Sequence, residues 1–135
     1  MKENVIRDKS YSFALQVVAL YRQLCKNGEY VLSKQLLRSA TSIGANVEEA
    51  QAAQSKADFV AKMSIASKEA RESNYWLRLL RDSKLIECSE VESLLAESVA
   101  LINILTAIVK SSAVHSKSKI KHSTLKTQKL SFNIN

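Results

Sequence analysis

Proline is absent from this 135-residue chain, and glycine occurs only twice, at Gly28 and Gly44. Tight turns draw on those two residue types for their backbone conformations. A sandwich or an α/β fold changes direction every few residues, so neither suits this chain. A few long helices joined by a few loops remain. A chain of this length forms one domain and can bury a core without metal or disulfide staples.

The apolar pattern agrees. Leu36, Ala40, Ile43, Val47, Ala50 and Gln54 step by alternating fours and threes, as do Phe59, Met63, Ala66, Ala70, Ser73, Leu77 and Leu80. Val91, Leu95, Ser98, Ile102, Leu105 and Val109 form a third such row. Each is the seam of a helix that packs along its length. A first helix is predicted from about Lys9 to Lys26, capped by Asp8 or Ser10, with Ala14, Val17, Val18, Tyr21, Leu24 and Cys25 on one face. Asn27-Gly28 reads as its stop, since glycine accepts the left-handed conformation that follows a last turn. The second helix is predicted to begin near Ser33. Gly44 inside it costs about 1 kcal/mol against alanine, which points to a close helix approach. Ser55-Lys56-Ala57-Asp58 resembles a capping box for the third helix, expected to reach Ser83, and Ser89-Glu90-Val91-Glu92 fits that pattern for the fourth. Short connections make successive helices antiparallel. The expected fold is all-α, an up-and-down antiparallel four-helix bundle over residues 1–115.

Beyond the main seams lie further stripes. Leu94, Leu101, Ile104 and Ile108 on the fourth helix, and Ile65, Trp76 and Leu79 on the third, suit either a thick core or a subunit interface. Gln35, Ser39, Ser42, Asn46 and Glu49, with Glu69 and Glu72, suit hydrogen bonds between helices or subunits, or a solvated face.

Charge is unevenly placed. Of the net +7, residues 1–112 carry +2 and residues 113–135 carry +5, from Lys117, Lys119, Lys121, Lys126 and Lys129 without one acid. Residues 116–135 keep no apolar period and read as a basic, disordered tail. The N-terminus has no apolar signal region, and the longest near-apolar stretch, Val99 to Val109, is shorter than the roughly 20 residues that cross a bilayer. A cytoplasmic protein without membrane contact is expected, with Cys25 and Cys88 as reduced thiols.

Catalytic patterns are missing. Glu48, Glu49, Glu69 and Glu72 invite comparison with di-iron bundles, but those need Glu-x-x-His on two helices, and His115 and His122 lie at or beyond the end of the fourth. Neither cysteine has a base nearby in sequence to make a thiolate. The two glycines stand alone, so no phosphate-cradling loop exists. No enzyme activity, metal or cofactor is expected.

One block is specific enough to compare with known families. It runs through Gln35-Leu36-Leu37-Arg38-Ser39-Ala40-Thr41-Ser42-Ile43-Gly44-Ala45-Asn46-Val47-Glu48-Glu49-Ala50, then Gln54-Ser55-Lys56-Ala57-Asp58-Phe59, Ile65-Ala66-Ser67-Lys68-Glu69-Ala70-Arg71-Glu72 and Tyr75-Trp76-Leu77-Arg78-Leu79-Leu80. Over roughly residues 5–110 the chain resembles the bacterial four helix bundle family, also called the 23S rRNA-intervening sequence protein family. That family is related to the accessory variability determinant of diversity-generating retroelements. Many members have Asn-Ile-Ala-Glu-Gly where this chain has Asn46-Val47-Glu48-Glu49-Ala50. The resemblance implies a bundle assembled into a homopentameric barrel. It implies function only through basic relatives that work with a reverse transcriptase and RNA. Charge and resemblance together make Arg38, Arg71, Arg78, Arg81 and Lys84, with Lys117, Lys119 and Lys121 of the tail, the candidate contacts to RNA or single-stranded DNA. The other reading is a scaffold that presents a surface to a protein partner.

Overall fold

The computed structural model describes the backbone of residues 4–86 and 89–132, and the side chains of residues 4–86 and 89–113. Four helices follow one another: α1 (Val5–Lys26), α2 (Leu32–Gln51), α3 (Lys56–Asp82) and α4 (Ser89–Phe132). Among the described residues α1 packs on α2, α2 on α3, α3 on α4 and α4 on α1, while the diagonal pairs do not meet. Short connections and this closed cycle define the up-and-down bundle.

Helix α1 starts a turn before the expected position, because Asn4 caps it by accepting from the Arg7 N–H at 3.2 Å. Its end is as expected. The Gly28 N–H reaches the Cys25 carbonyl and the Glu29 N–H reaches the Leu24 carbonyl, with Gly28 at φ +87°. This is the Schellman closure of a helix. Ser55 caps α3 by accepting from the Asp58 N–H at 3.1 Å. The start of α2 has a different device. Its N-cap residue, Val31, offers no side-chain acceptor, and Glu29 takes over. One carboxylate oxygen accepts the N–H groups of Val31 and Leu32 at 3.0 and 2.8 Å, and the other accepts that of Ser33 at 2.7 Å. Burial opposes ionisation of Glu29, but these backbone bonds and the Ser33 hydroxyl hold its carboxyl below the usual range.

The core contains Leu36, Ile43, Val47, Met63, Leu77, Leu80, Leu95 and Leu105, as the seams predict; Phe59 and Ile102 are only partly buried against it. Two faces differ from expectation. On α1 the buried row is Ile6, Ser10, Phe13, Val17, Leu20 and Leu24. Val18 is exposed, and Ala14, Tyr21 and Cys25 are half-buried. Phe13 and Leu20, both fully buried, fix the rotation of the helix. On α4 the buried row is Val91, Leu94, Leu95, Ser98, Leu101 and Leu105. Leu94 and Leu101 are therefore core residues, which leaves Ile104 and Ile108 at its margin. Buried polar groups cross between helices: the hydroxyls of Ser39 and Ser73 meet at 2.8 Å.

The α4 backbone continues as helix to Phe132, 44 residues in all. The basic tail expected from Ser116 falls on this extension, whose side chains lie outside the described residues. No proline or glycine follows Gly44 to stop a helix, and the lysines of this stretch have good helix propensity. A helix of that length runs about 66 Å, well past the end of the bundle. By length and composition alone, Ser89–Ala113 is also apolar enough to cross a membrane, contrary to the shorter stretch taken above. In this fold its apolar face packs in the bundle.

Candidate functional site

The arginines of the folded body fall into two groups. Arg38 of α2 lies between two carboxylates of α3: its guanidinium is 3.4 Å from Glu69 Oε2 and also bonds Glu72 Oε2. The Trp76 indole N–H donates to the same Glu72 oxygen at 3.2 Å. Arg81 is held by Asp82 at 2.8 Å and lies 4.0 Å from Glu92. Donation from Arg81 holds the Asp82 carboxyl below its usual range. These two cations are balanced locally. Glu49, also singled out in sequence, pairs with Lys62 at 2.8 Å. Among the described residues, no three histidine, cysteine or acidic side chains converge as a metal site would require.

Arg71 and Arg78 differ. Neither forms an ion pair among the described residues, and both lean toward α4 through neutral groups. Arg71 Nη2 donates to Thr106 Oγ1 at 3.2 Å. Arg78 Nε donates to Asn74 Oδ1 at 2.9 Å, and Asn74 Nδ2 donates to the buried Ser98 hydroxyl at 2.9 Å. Between them on the same outward face lies Tyr75, 48 % exposed, with the Arg78 guanidinium carbon 6.0 Å from its ring centroid. Trp76 meets Tyr75 edge to face, centroids 5.0 Å apart. Charge alone passes over Tyr75, Asn74 and Thr106. The i, i+4, i+7 spacing of Arg71, Tyr75 and Arg78 is the signal in sequence that finds the tyrosine.

Lys84 sits in the turn after α3 at φ 58°, a left-handed position that glycine usually fills. Lys117, Lys119 and Lys121 are on the α4 extension, and their side chains lie outside the described residues. The site residues thus do not form one patch: Arg71 and Arg78 share a surface, Arg38 lies on the α2 side of α3, and Arg81 and Lys84 lie at its end.

Two further surfaces stand out. Tyr11, Leu15 and Val18 form an exposed apolar row on α1, and Ile65 and Leu79 are exposed on α3. A small cleft of about 270 Å³ opens between α1 and α4, lined by Gln16, Ala19, Glu90, Ser93 and Leu94. It contains one carboxylate and no second titratable group to work with it.

The fold is that of a helical bundle protein with an arginine-bearing face on α3. The chain belongs to the 23S rRNA-intervening sequence protein family, whose model matches residues 2–107. It is similar to the crystal structure of a protein of unknown function from the S23 ribosomal protein family of Bacteroides thetaiotaomicron VPI-5482. The two are 47% identical, with a TM-score of 0.75 over 78% of this chain and 98% of the other. No curated protein matches the chain.

Proposed function

We propose that this is a non-enzymatic protein of the cytoplasm that binds RNA or single-stranded DNA with low sequence specificity and acts as a closed homo-oligomer. The observation that carries the reading is the pair Arg71 and Arg78, two cations without a carboxylate partner among the described residues, set one heptad apart on an exposed face. The net charge of +7 and the lysine-rich end of the chain support it. Lysine and arginine neutralise phosphates and release counterions, so affinity falls as salt rises. Lysine presents a point charge and reads no base pattern, so specificity is low. Arg38 and Arg81, already balanced by carboxylates, contribute less.

Self-assembly is supported by the exposed rows on α1 and α3. These two helices are diagonal in the bundle, so the rows face different sides and are unlike in sequence. Unlike faces on different sides suit head-to-tail contacts, which close into a ring when the rotation allows. Five subunits is the number implied by the family resemblance. The same rows favour a second reading, a scaffold that presents an apolar face to a partner protein.

The test is titration of a fluorescent RNA with the intact chain, and with a chain ending at Ser116, at several salt concentrations. The expected result is micromolar-range binding at low salt, little preference among sequences, and a steep salt slope that becomes shallower on truncation. Unchanged affinity and slope in the shorter chain would remove the tail from the mechanism. Undetectable binding by the intact chain at low salt would leave the scaffold reading.

A further inference from the structure

We infer that Tyr75 is a stacking platform for an unpaired base, with Arg71 and Arg78 placed to hold the phosphates on either side of it. This rests on the nucleic-acid reading above and names the site and the strandedness of its ligand. Tyr75 is 48 % exposed on α3, about two turns before its end and away from the bundle core. Arg71 precedes it by about one turn and Arg78 follows it by somewhat less. The two arginines are about 10 Å apart along the helix axis, so a strand lying along α3 meets a cation, a ring and a cation in order.

The surroundings hold both arginines through neutral hydrogen-bond partners. Thr106 and Asn74 each accept one hydrogen bond from a guanidinium, at 3.2 and 2.9 Å, and leave its other N–H groups free to donate. Asn74 is itself tied to Ser98, whose hydroxyl donates to the Leu95 carbonyl at 2.7 Å, so the Arg78 anchor reaches into the core. The nearest acid along this face, Asp82, bonds Arg81 and also feels the charge of Arg78, without forming an ion pair with it. Arg78 sits over the tyrosine ring, and Trp76 braces that ring from the side. Stacking on an aromatic ring needs an unstacked base, and duplex bases are already stacked on one another. The ligand is therefore single-stranded.

The test uses the full chain, a short fluorescein-labelled oligouridylate, and an RNA duplex of the same length. The single strand is expected to bind more tightly than the duplex. Tyr75→Ala is expected to weaken single-strand binding about five-fold or more and duplex binding hardly at all. Tyr75→Phe keeps the ring and is expected to bind as the parent does, which separates stacking from a loss of fold. Arg71→Ala and Arg78→Ala are each expected to reduce the salt slope by about 1. Trp76, the one tryptophan, lies against Tyr75, so its emission in the unmutated protein should change saturably with oligouridylate. Parent-like single-strand affinity in Tyr75→Ala, or a tryptophan signal that ignores bound oligonucleotide, would overturn the stacking site and leave the broader reading intact. A change in oligomeric state without a change in affinity would overturn it in favour of a subunit contact. Failure of the intact chain to bind either probe would end both.

Discussion

A Cβ on Gly44 would lie 3.6 Å from the Ser10 carbonyl oxygen, an ordinary van der Waals distance. The helices do come close here, but alanine fits without displacement. Gly44→Ala is therefore expected to stabilise the protein by about 1 kcal/mol, through helix propensity and a less flexible unfolded chain. Gly28 is the opposite case. It has open space around it, yet its φ of +87° strains any side chain. Gly28→Ala is expected to destabilise by about 1 kcal/mol, and thermal or urea unfolding of the two variants measures both signs. Glu29 adds a pH dependence. Its folded pKa is depressed, so the stability it contributes is complete above the ordinary carboxylate value of about 4.3 and is lost as pH falls through the folded value. Glu29→Gln is expected to lose about 1 kcal/mol of stability at neutral pH, as for other caps. That loss should shrink as the pH is taken below about 4. A difference that stays constant across that window would mean the carboxylate does not hold the start of α2.

At the level of the elements, Leu77 is the strongest test of the seams. It is fully buried in α3, and Leu77→Ala is expected to cost about 2–5 kcal/mol. A loss under about half a kcal/mol would place the seam elsewhere. Phe13→Ala should cost about 3–5 kcal/mol, and it tests the rotation of α1 that the sequence pattern misjudged. The heptad of α2 was legible because small and polar residues flank its apolar row, and that of α3 because its seam is longer than the stripe of Ile65, Trp76 and Leu79 beside it. On α1, apolar residues occupy several faces, and Tyr11, Leu15 and Val18 compete with the true row of Phe13, Val17 and Leu20. On α4, two overlapping rows share Val91 and Leu105, and only packing selects Leu94 and Leu101 over Ile102 and Val109. The Glu29 cap was hidden because its carboxylate lies two residues before the N-cap position, outside the usual pattern. Of the candidate site, the basic residues were legible by charge. Which of them were already balanced was not, because Arg38 meets Glu69 and Glu72 only once α2 lies on α3.

For the whole molecule, the exposed rows on α1 and α3 make assembly the first property to measure. Light scattering at micromolar concentration is expected to show a closed oligomer, with five subunits the number to test. A clean monomer peak near the chain mass of 15.0 kDa would remove the ring. The central claim is contact between nucleic acid and the outward face of α3. It is tested most directly by ultraviolet cross-linking of the intact chain to RNA, followed by mass spectrometry of the adduct peptides. Adducts concentrated on the segment of α3 that carries Arg71, Tyr75 and Arg78, weakened by added salt, are the expected result. An absence of adducts at low salt, or adducts confined to other parts of the chain, would contradict it.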